Sequence, residues 1–527
     1  MHMFELLNKR TYQLAAVVIL TFLAYSNIFQ NQFVLDDYDF IVKWDLVKDL
    51  HNLPKIFRAD SIPEIHRGVY RPVKTLLLIL SYNLWGLNLT FYHLYSLTIH
   101  LISTILVYLI ILKITKTKFI ALVGGAIFGV HPIHTEAITF ILASFDSFGL
   151  ACYLAAFYLF LKSKDHSKRS NLLNYYFLAA VLLATLAFFS YELTLTLPLM
   201  LTWYELVFAK KKVILKAILK AVWPFWLSVA SYLYIRFFIV HILNRTEYLA
   251  GSFYLTMLVM AKSFLKYIIL LVLPHNLSID YQLAPNVSSI VDLVFVSKDK
   301  LKGLSFFNPD VLISLLSLVI LVLIIIKTYR QNRIISFVIG WFLISLIPVL
   351  NLIPQHTLFA DRYVYLGSFS FSLLVGLGAY NLIKLAQQKS WLMLRSSVYL
   401  SLILLLILYS LLTYQRNLEW KDNLVVWSKL VEQIPNDAVI SFQTAQVYRD
   451  FHQPDLAIYY FKRTLMIEPL IPEAYYYIGQ IYDQKGQHEQ AVKYYLKTLK
   501  LYPSDVEFII SLENLKALIS KQAEDQK

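Results

Sequence analysis

The chain has 527 residues, of which 58% are hydrophobic and only 16% charged, and its mean hydropathy is +0.57. A soluble globular protein runs nearer about 45–50% apolar and about 25% charged, so that class is excluded. The 48 Lys and Arg against 34 Asp and Glu give a net charge of +14, and the single cysteine, Cys152, excludes a disulfide framework and a Cys-based zinc site.

A bilayer core takes roughly 20 apolar residues as helix, and runs of that kind recur over the first 415 residues. They predict eleven spans, near 11–28, 92–112, 119–133, 146–161, 173–190, 193–208, 222–241, 310–326, 334–350, 363–383 and 397–414. Basic residues sit at alternate ends: Lys9 and Arg10, then Lys113, Lys116 and Lys118, then Lys162, Lys164, Lys168 and Arg169. Lys210–Lys212, Lys216 and Lys220, then Lys327, Arg330 and Arg333, and finally Lys384, Lys389 and Arg395 continue the pattern. Loops rich in Lys and Arg face the cytoplasm, so the N-terminus is expected inside and the charge excess is topological. Nucleic acid is not implied as a partner. The run at 253–273 is apolar, but Lys262 and Lys266 interrupt it. Counting it as a crossing inverts every later cluster, so an interfacial or re-entrant helix on the outer side is expected. Eleven crossings put the C-terminus outside.

The outer loops carry acids, histidines and isolated arginines. The first, about 29–91, holds Asp36-Asp37 just past a span. One carboxylate can serve as general base toward a hydroxyl; the other can orient the acceptor, raise its neighbour's pKa or hold a divalent metal such as Mg or Mn. An ordinary solvated turn is the alternative. The stretch from Ile41 to Phe57 is amphipathic and suits a membrane surface. Arg71 precedes Pro72 at the start of the next apolar stretch, where a guanidinium can meet a lipid phosphate through two hydrogen bonds. The next outer turn reads His131-Pro132-Ile133-His134-Thr135-Glu136; Pro132 breaks the helix and places the cluster at the membrane surface. Its histidines can bind phosphate or an acceptor, and with Glu136 they form an incomplete metal set. Asp146 heads a span, where an unpaired charge is costly. Glu192, Asp280 and Arg362 belong to the same set of outer residues, with Glu136, Asp146, Glu192 and Asp280 as acceptor or supporting groups.

Past about residue 415 the charge rises. Pro435, Pro469 and Pro503 lie 34 and 34 residues apart, the tetratricopeptide period. Ala445, Tyr448, Ala457 and Phe461 recur in register as Gly479, Tyr482, Ala491 and Tyr495. Trp427 and Pro435 mark a degenerate earlier half repeat, and 506–521 is an amphipathic capping helix. The expected organisation is a transmembrane domain at 1–415, repeats with their cap at 416–521 and a polar tail at 522–527.

Tyr70-Arg71-Pro72-Val73, Asn83-Leu84-Trp85-Gly86-Leu87, His131 to Ala137, Asp361-Arg362-Tyr363-Val364-Tyr365-Leu366 and Arg416-Asn417 with Trp420 resemble the transmembrane-and-TPR O-mannosyltransferases and their bacterial relatives. The resemblance implies an all-α GT-C glycosyltransferase fold followed by a short TPR solenoid. It implies an integral membrane enzyme that moves a sugar, such as mannose, from a polyprenyl phosphate to a protein hydroxyl on the outer face. The single cysteine and the lack of a small-x-small cleavage site after the first span fit a bacterial inner or cell membrane. Asp36 and Asp37 would be catalytic; Arg71, His131, His134 and Arg362 would hold the donor phosphate; the repeats would present the acceptor polypeptide. A non-enzymatic membrane scaffold with a TPR array is the competing reading.

Overall fold

A computed structural model describes residues 9–58, 69–166, 174–208, 215–242, 247–283, 304–355, 357–504, 508–514 and 516–517. Among the described residues every regular element is helical, and the chain divides into two compact units, Met1–Lys421 and Asp422–Lys527. Lys168, Arg169, Lys210–Lys212, residues 506–507, 515 and 518–521 of the expected capping helix and the tail at 522–527 lie outside the described residues.

The first unit contains α1 (Arg10–Ala24), α2 (Pro72–Trp85), α3 (Leu89–Thr115), α4 (Lys118–Val130), α5 (Ile141–His166), α6 (Tyr175–Phe188) and α7 (Leu197–Phe208). It continues through α8 (Leu215–Tyr234), α9 (Phe253–Val272), α10 (Pro309–Gln331), α11 (Arg333–Leu346), α12 (Ser368–Gln388) and α13 (Leu392–Leu418). Among the described residues eight helices are long and apolar enough to cross a membrane, and α4, α6 and α11 with its short extension are shorter apolar helices. This is a multi-pass membrane protein. Between lipid-like surfaces hydrophobicity alone does not join helices, so small residues carry the close contacts. A Cβ on Gly124 of α4 would lie 2.5 Å from Ile111 and 3.3 Å from the Ser372 carbonyl oxygen, and one on Gly376 of α12 would lie 2.9 Å from the Ile120 carbonyl oxygen.

Helix α9 is continuous over its 20 residues, which removes the re-entrant form of the expectation. At about 1.5 Å per residue it reaches roughly 30 Å, enough to span. Several of its contacts are with the ends of other helices. Just before it, Tyr248 OH donates to the Leu352 carbonyl oxygen beyond α11. Lys262, at its middle, pairs with Asp310 in the first turn of α10 at 3.3 Å. Tyr267 OH reaches the Ala360 backbone ahead of α12, and the Leu271 carbonyl oxygen lies 3.0 Å from Nε2 of His131 at the end of α4. Beside these partners at the ends of α11, α10, α12 and α4, Tyr409 within α13 donates to the Val272 carbonyl oxygen at 3.2 Å.

The second unit contains α14 (Asn423–Gln433), α15 (Ala438–Asp450), α16 (Pro454–Ile467), α17 (Pro472–Gln484) and α18 (His488–Leu501). Pro454 and Pro472 stand in the first turns of α16 and α17, where a missing N–H costs nothing. Ala445, Ala457, Ala474 and Ala491 are buried in the seams, and Gly479 backs onto the Tyr495 ring so closely that a Cβ would lie 2.6 Å from it. Phe508 and Leu512 pack on Tyr476 and Tyr495.

Candidate active site

The segment after α1 makes a short turn at Ile28–Gln30, runs extended through Val34 and then reverses. Leu35 takes φ +49°, a left-handed conformation that is unusual for a branched residue. The reversal splits the acidic pair. Asp37 is fully buried; its Oδ2 accepts the Val34 N–H at 2.9 Å and its Oδ1 accepts the Leu142 N–H at 2.8 Å. Leu142 lies in the first turn of α5, where backbone donors are unpaired and the helix dipole favours negative charge. Burial nevertheless pushes the Asp37 carboxyl up to about 8, against the opposing effect of those two N–H bonds. Asp36 is exposed. The two carboxylates thus face different surroundings, and each oxygen of Asp37 already accepts a backbone N–H. Among the described residues no group of three or more His, Cys, Asp or Glu is placed to hold a metal.

One turn along α5 from Leu142, Asp146 enters a buried ion cluster. Arg71, at the start of α2, donates from Nη1 to Asp146 Oδ1 at 2.9 Å and from Nε to Glu192 Oε2 at 2.6 Å. Its guanidinium lies 4.6 Å over the Tyr191 ring. Lys74, one turn further along α2, donates to Asp146 at 3.0 Å. Arg236, just past α8, donates to Glu192 Oε1 at 3.2 Å and to Tyr232 OH at 3.1 Å. Among the described residues, then, Arg71, Lys74 and Arg236 meet the carboxylates of Asp146 and Glu192 in one buried cluster. Burial works against the charge of Arg71, but Asp146 and Glu192 more than compensate and hold it protonated. Burial draws Lys74 down to about 8, although Asp146 opposes this.

A cavity of about 290 Å³ adjoins this cluster. Arg71, Glu192 and Arg236 lie on its wall, and the rest is mainly apolar, including Leu195, Leu199, Leu233, Phe237 and Ile353. Charge at one part and hydrocarbon elsewhere match the two chemistries of a lipid phosphate.

A second cluster follows α11. Arg362 pairs with Glu136 through its side chain, and its backbone N–H donates to Glu136 Oε2 at 2.9 Å. Beside it Tyr281 OH donates to Asp361 Oδ1 at 2.6 Å. Burial, with Glu136 adding to it, pushes the Asp361 carboxyl up to about 7, while Arg416, Tyr281 and Lys266 oppose this. Asp280 is buried, and its Oδ1 accepts the N–H of Tyr281 at 2.7 Å.

Of the sequence-predicted residues, Arg71, Asp146 and Glu192 come together, as do Glu136 and Arg362, with Asp37 anchored close to the first group. The histidines need a correction. They were expected at a water-facing turn, but both are fully buried. His131 Nε2 is 3.0 Å from the Leu271 carbonyl oxygen, and His134 Nε2 is 2.7 Å from Ser368 Oγ. Their rings pack among Phe128, Tyr365, Phe371 and Tyr409. Burial in such surroundings favours neutral imidazole, which has no net charge to attract phosphate. Arg362 likewise already has Glu136 as counter-ion. Lys74 and Arg236 are the cations that reading by loops overlooked. Each interrupts an apolar stretch, Lys74 in 72–85 and Arg236 in 222–241, and that was the available signal.

The tetratricopeptide repeat family matches residues 472–505. The chain is similar to Protein O-mannosyl-transferase F38B6.6 of Caenorhabditis elegans, 26% identical over 454 residues, which cover 83% of this chain and 60% of that protein. It is similar to Protein O-mannosyl-transferase Tmtc1 of Drosophila melanogaster, 31% identical over 149 residues, 27% of this chain and 17% of that one. It is similar also to Protein O-mannosyl-transferase TMTC3 of Homo sapiens, 29% identical over 166 residues, 30% of this chain and 18% of that one. The aligned part thus spans about 60% of the worm protein and under a fifth of the other two. Among solved structures there is a weak likeness, TM-score 0.41 and 12% identity over 83% of this chain and 80% of the other, to ArnT from Cupriavidus metallidurans bound to undecaprenyl phosphate.

Proposed function

We propose that this chain is a membrane glycosyltransferase of the GT-C kind that moves a sugar from a polyprenyl phosphate to a hydroxyl on a polypeptide. The observation that carries the reading is a juxtaposition. The loop bearing exposed Asp36 is tied through Asp37 to Leu142, and four residues on, about 6 Å of helix rise, Asp146 begins the cationic cluster on the wall of the amphipathic cavity. The likeness to protein O-mannosyl-transferases favours mannose as the sugar and a protein as the acceptor.

In this reading Asp36 is the base. Its carboxylate takes the proton of the acceptor hydroxyl as that oxygen attacks the anomeric carbon. The bond from that carbon to the phosphate oxygen breaks, and the electron pair leaves on the polyprenyl phosphate. The departing phosphate gains negative charge, and the cationic groups of Arg71, Lys74 and Arg236 stabilise it most when that charge is fully developed. Asp37 holds the loop. The repeat unit presents the acceptor. The active face and the repeats lie on the outer side of the membrane, with the N-terminus in the cytoplasm, as in a bacterial inner membrane.

The test is transfer of mannose from polyprenyl phosphate mannose to peptide by purified wild type and Asp36→Asn. Loss of a general base typically costs about 10²–10⁴ in rate, so kcat should fall by that order while donor KM holds. An Asp36→Asn variant as active as wild type would refute the assignment.

A further inference from the structure

The pair Arg416-Asn417 ends α13, just before the repeat unit, and takes no part in the chemistry above. Asn417 is fully buried and its amide is fully engaged. Oδ1 accepts from Thr139 Oγ1 at 2.7 Å, and Nδ2 donates to the Ala24 carbonyl oxygen at 3.0 Å and to Asn27 Oδ1 at 2.9 Å. The Asn417 carbonyl oxygen accepts from Asn31 Nδ2 at 2.9 Å. Asn27 Nδ2 donates to the Tyr414 carbonyl oxygen at 2.8 Å, and the Gln32 N–H donates to the Lys421 carbonyl oxygen at 2.7 Å. Five hydrogen bonds therefore link residues 24–32 to residues 414–421. The sixth, from Thr139, lies three residues before Leu142, the amide that holds Asp37.

Asn417 thus grips the approach to the acidic turn on one side and the segment that anchors the turn on the other. Only a side-chain amide supplies two donors and an acceptor in this volume. Buried in low dielectric, such a network has a single low-energy arrangement, and leaving any member unmatched is costly. We propose that Asn417 is a positioning residue: with Thr139 it sets the place of the 31–37 loop, and hence of the Asp36 carboxylate. The catalytic consequence rests on Asp36 being the base; the hold on the loop does not.

The two parts are separable by experiment on the full chain in detergent. Thr139→Val keeps the shape and deletes one bond to Asn417; Thr139→Ser restores the hydroxyl; Asn417→Leu deletes all the side-chain bonds. Amide hydrogen exchange is followed in peptides covering 28–37, with the 175–188 helix as reference. Thr139→Val should speed exchange in 28–37 severalfold and leave the reference unchanged, Asn417→Leu should do so more strongly, and Thr139→Ser should match wild type. In transfer assays Thr139→Val should lower kcat by up to about tenfold, the scale of one hydrogen bond, with donor KM within about twofold. Unchanged exchange at 28–37, an equal rise at the reference helix in Thr139→Val, or a loss carried by KM would each overturn the proposal. A wild-type chain that transfers no sugar would remove the enzymatic reading alone, and exchange would still decide whether Asn417 holds the loop.

Discussion

Two neighbouring aspartates have opposite environments. Asp37 faces inward onto two backbone donors; Asp36 stays in water. The carboxyl of Asp37 moves from an ordinary 3.8 to about 8 on folding, because burial outweighs its N–H bonds. The folded state therefore binds that proton more tightly than the unfolded one. Stability from this site is full below the unfolded value and is lost as pH rises through about 8. Asp37→Asn is neutral at every pH and should remove that loss. Melting temperatures measured at about pH 6 and about pH 9 should differ less in the variant than in wild type. An equal or larger difference in Asp37→Asn would show that some other group controls the alkaline limb.

At the scale of the helix, glycine marks where backbones approach. Gly376 and Gly378 lie two residues apart on α12 and have opposite surroundings. A Cβ at 376 would meet the Ile120 carbonyl oxygen of α4 at 2.9 Å, whereas one at 378 meets nothing within 4 Å. Backbone cannot step aside as a side-chain tip can. Gly376→Ala should cost about 1–3 kcal/mol through overpacking, and Gly378→Ala should be neutral or gain up to about 1 kcal/mol from helix propensity. Thermal unfolding of the two variants in one detergent tests the contrast, and equal effects would refute the α4–α12 contact. Helix α9 shows the limit of hydropathy at this scale. Its length and composition suit a crossing, yet several of its partners lie at the ends of other helices. An ion pair such as Lys262–Asp310 is better accommodated near the interface than at the bilayer centre.

For the whole molecule, the basic clusters predict which loops share a compartment. Lys116, between α3 and α4, is exposed and should be cytoplasmic; exposed Lys43 in the first outer loop and exposed Lys493 in the repeat unit should be outside. Cys152 is buried, so single cysteines can be introduced at those positions with it in place. An impermeant thiol reagent added to intact cells should label positions 43 and 493 but not 116 until the membrane is opened. Labelling of 116 together with 493 would reverse the assignment of the repeats and separate them from the proposed outer active face.

Hydropathy and a 34-residue period are local properties of the chain, so the helical class, the multi-pass membrane character and the repeat unit were legible without coordinates. The individual spans were not all legible: Phe253–Val272 is long and apolar enough to cross and Leu197–Phe208 is not. The residue types of the ion cluster, Arg71, Asp146 and Glu192, were legible too. Their partnerships were not. Arg71 and Glu192 are 121 residues apart yet share a hydrogen bond, and Thr139 meets Asn417 across 278. Tertiary packing alone decided that Asp37 faces inward while Asp36 stays wet, that His131 and His134 belong to the core, and that Lys74 and Arg236 join the cluster of Arg71. The reason is that a side chain's type is set by the chain, whereas its charge state and accessibility depend on which distant groups remove its water and replace those hydrogen bonds.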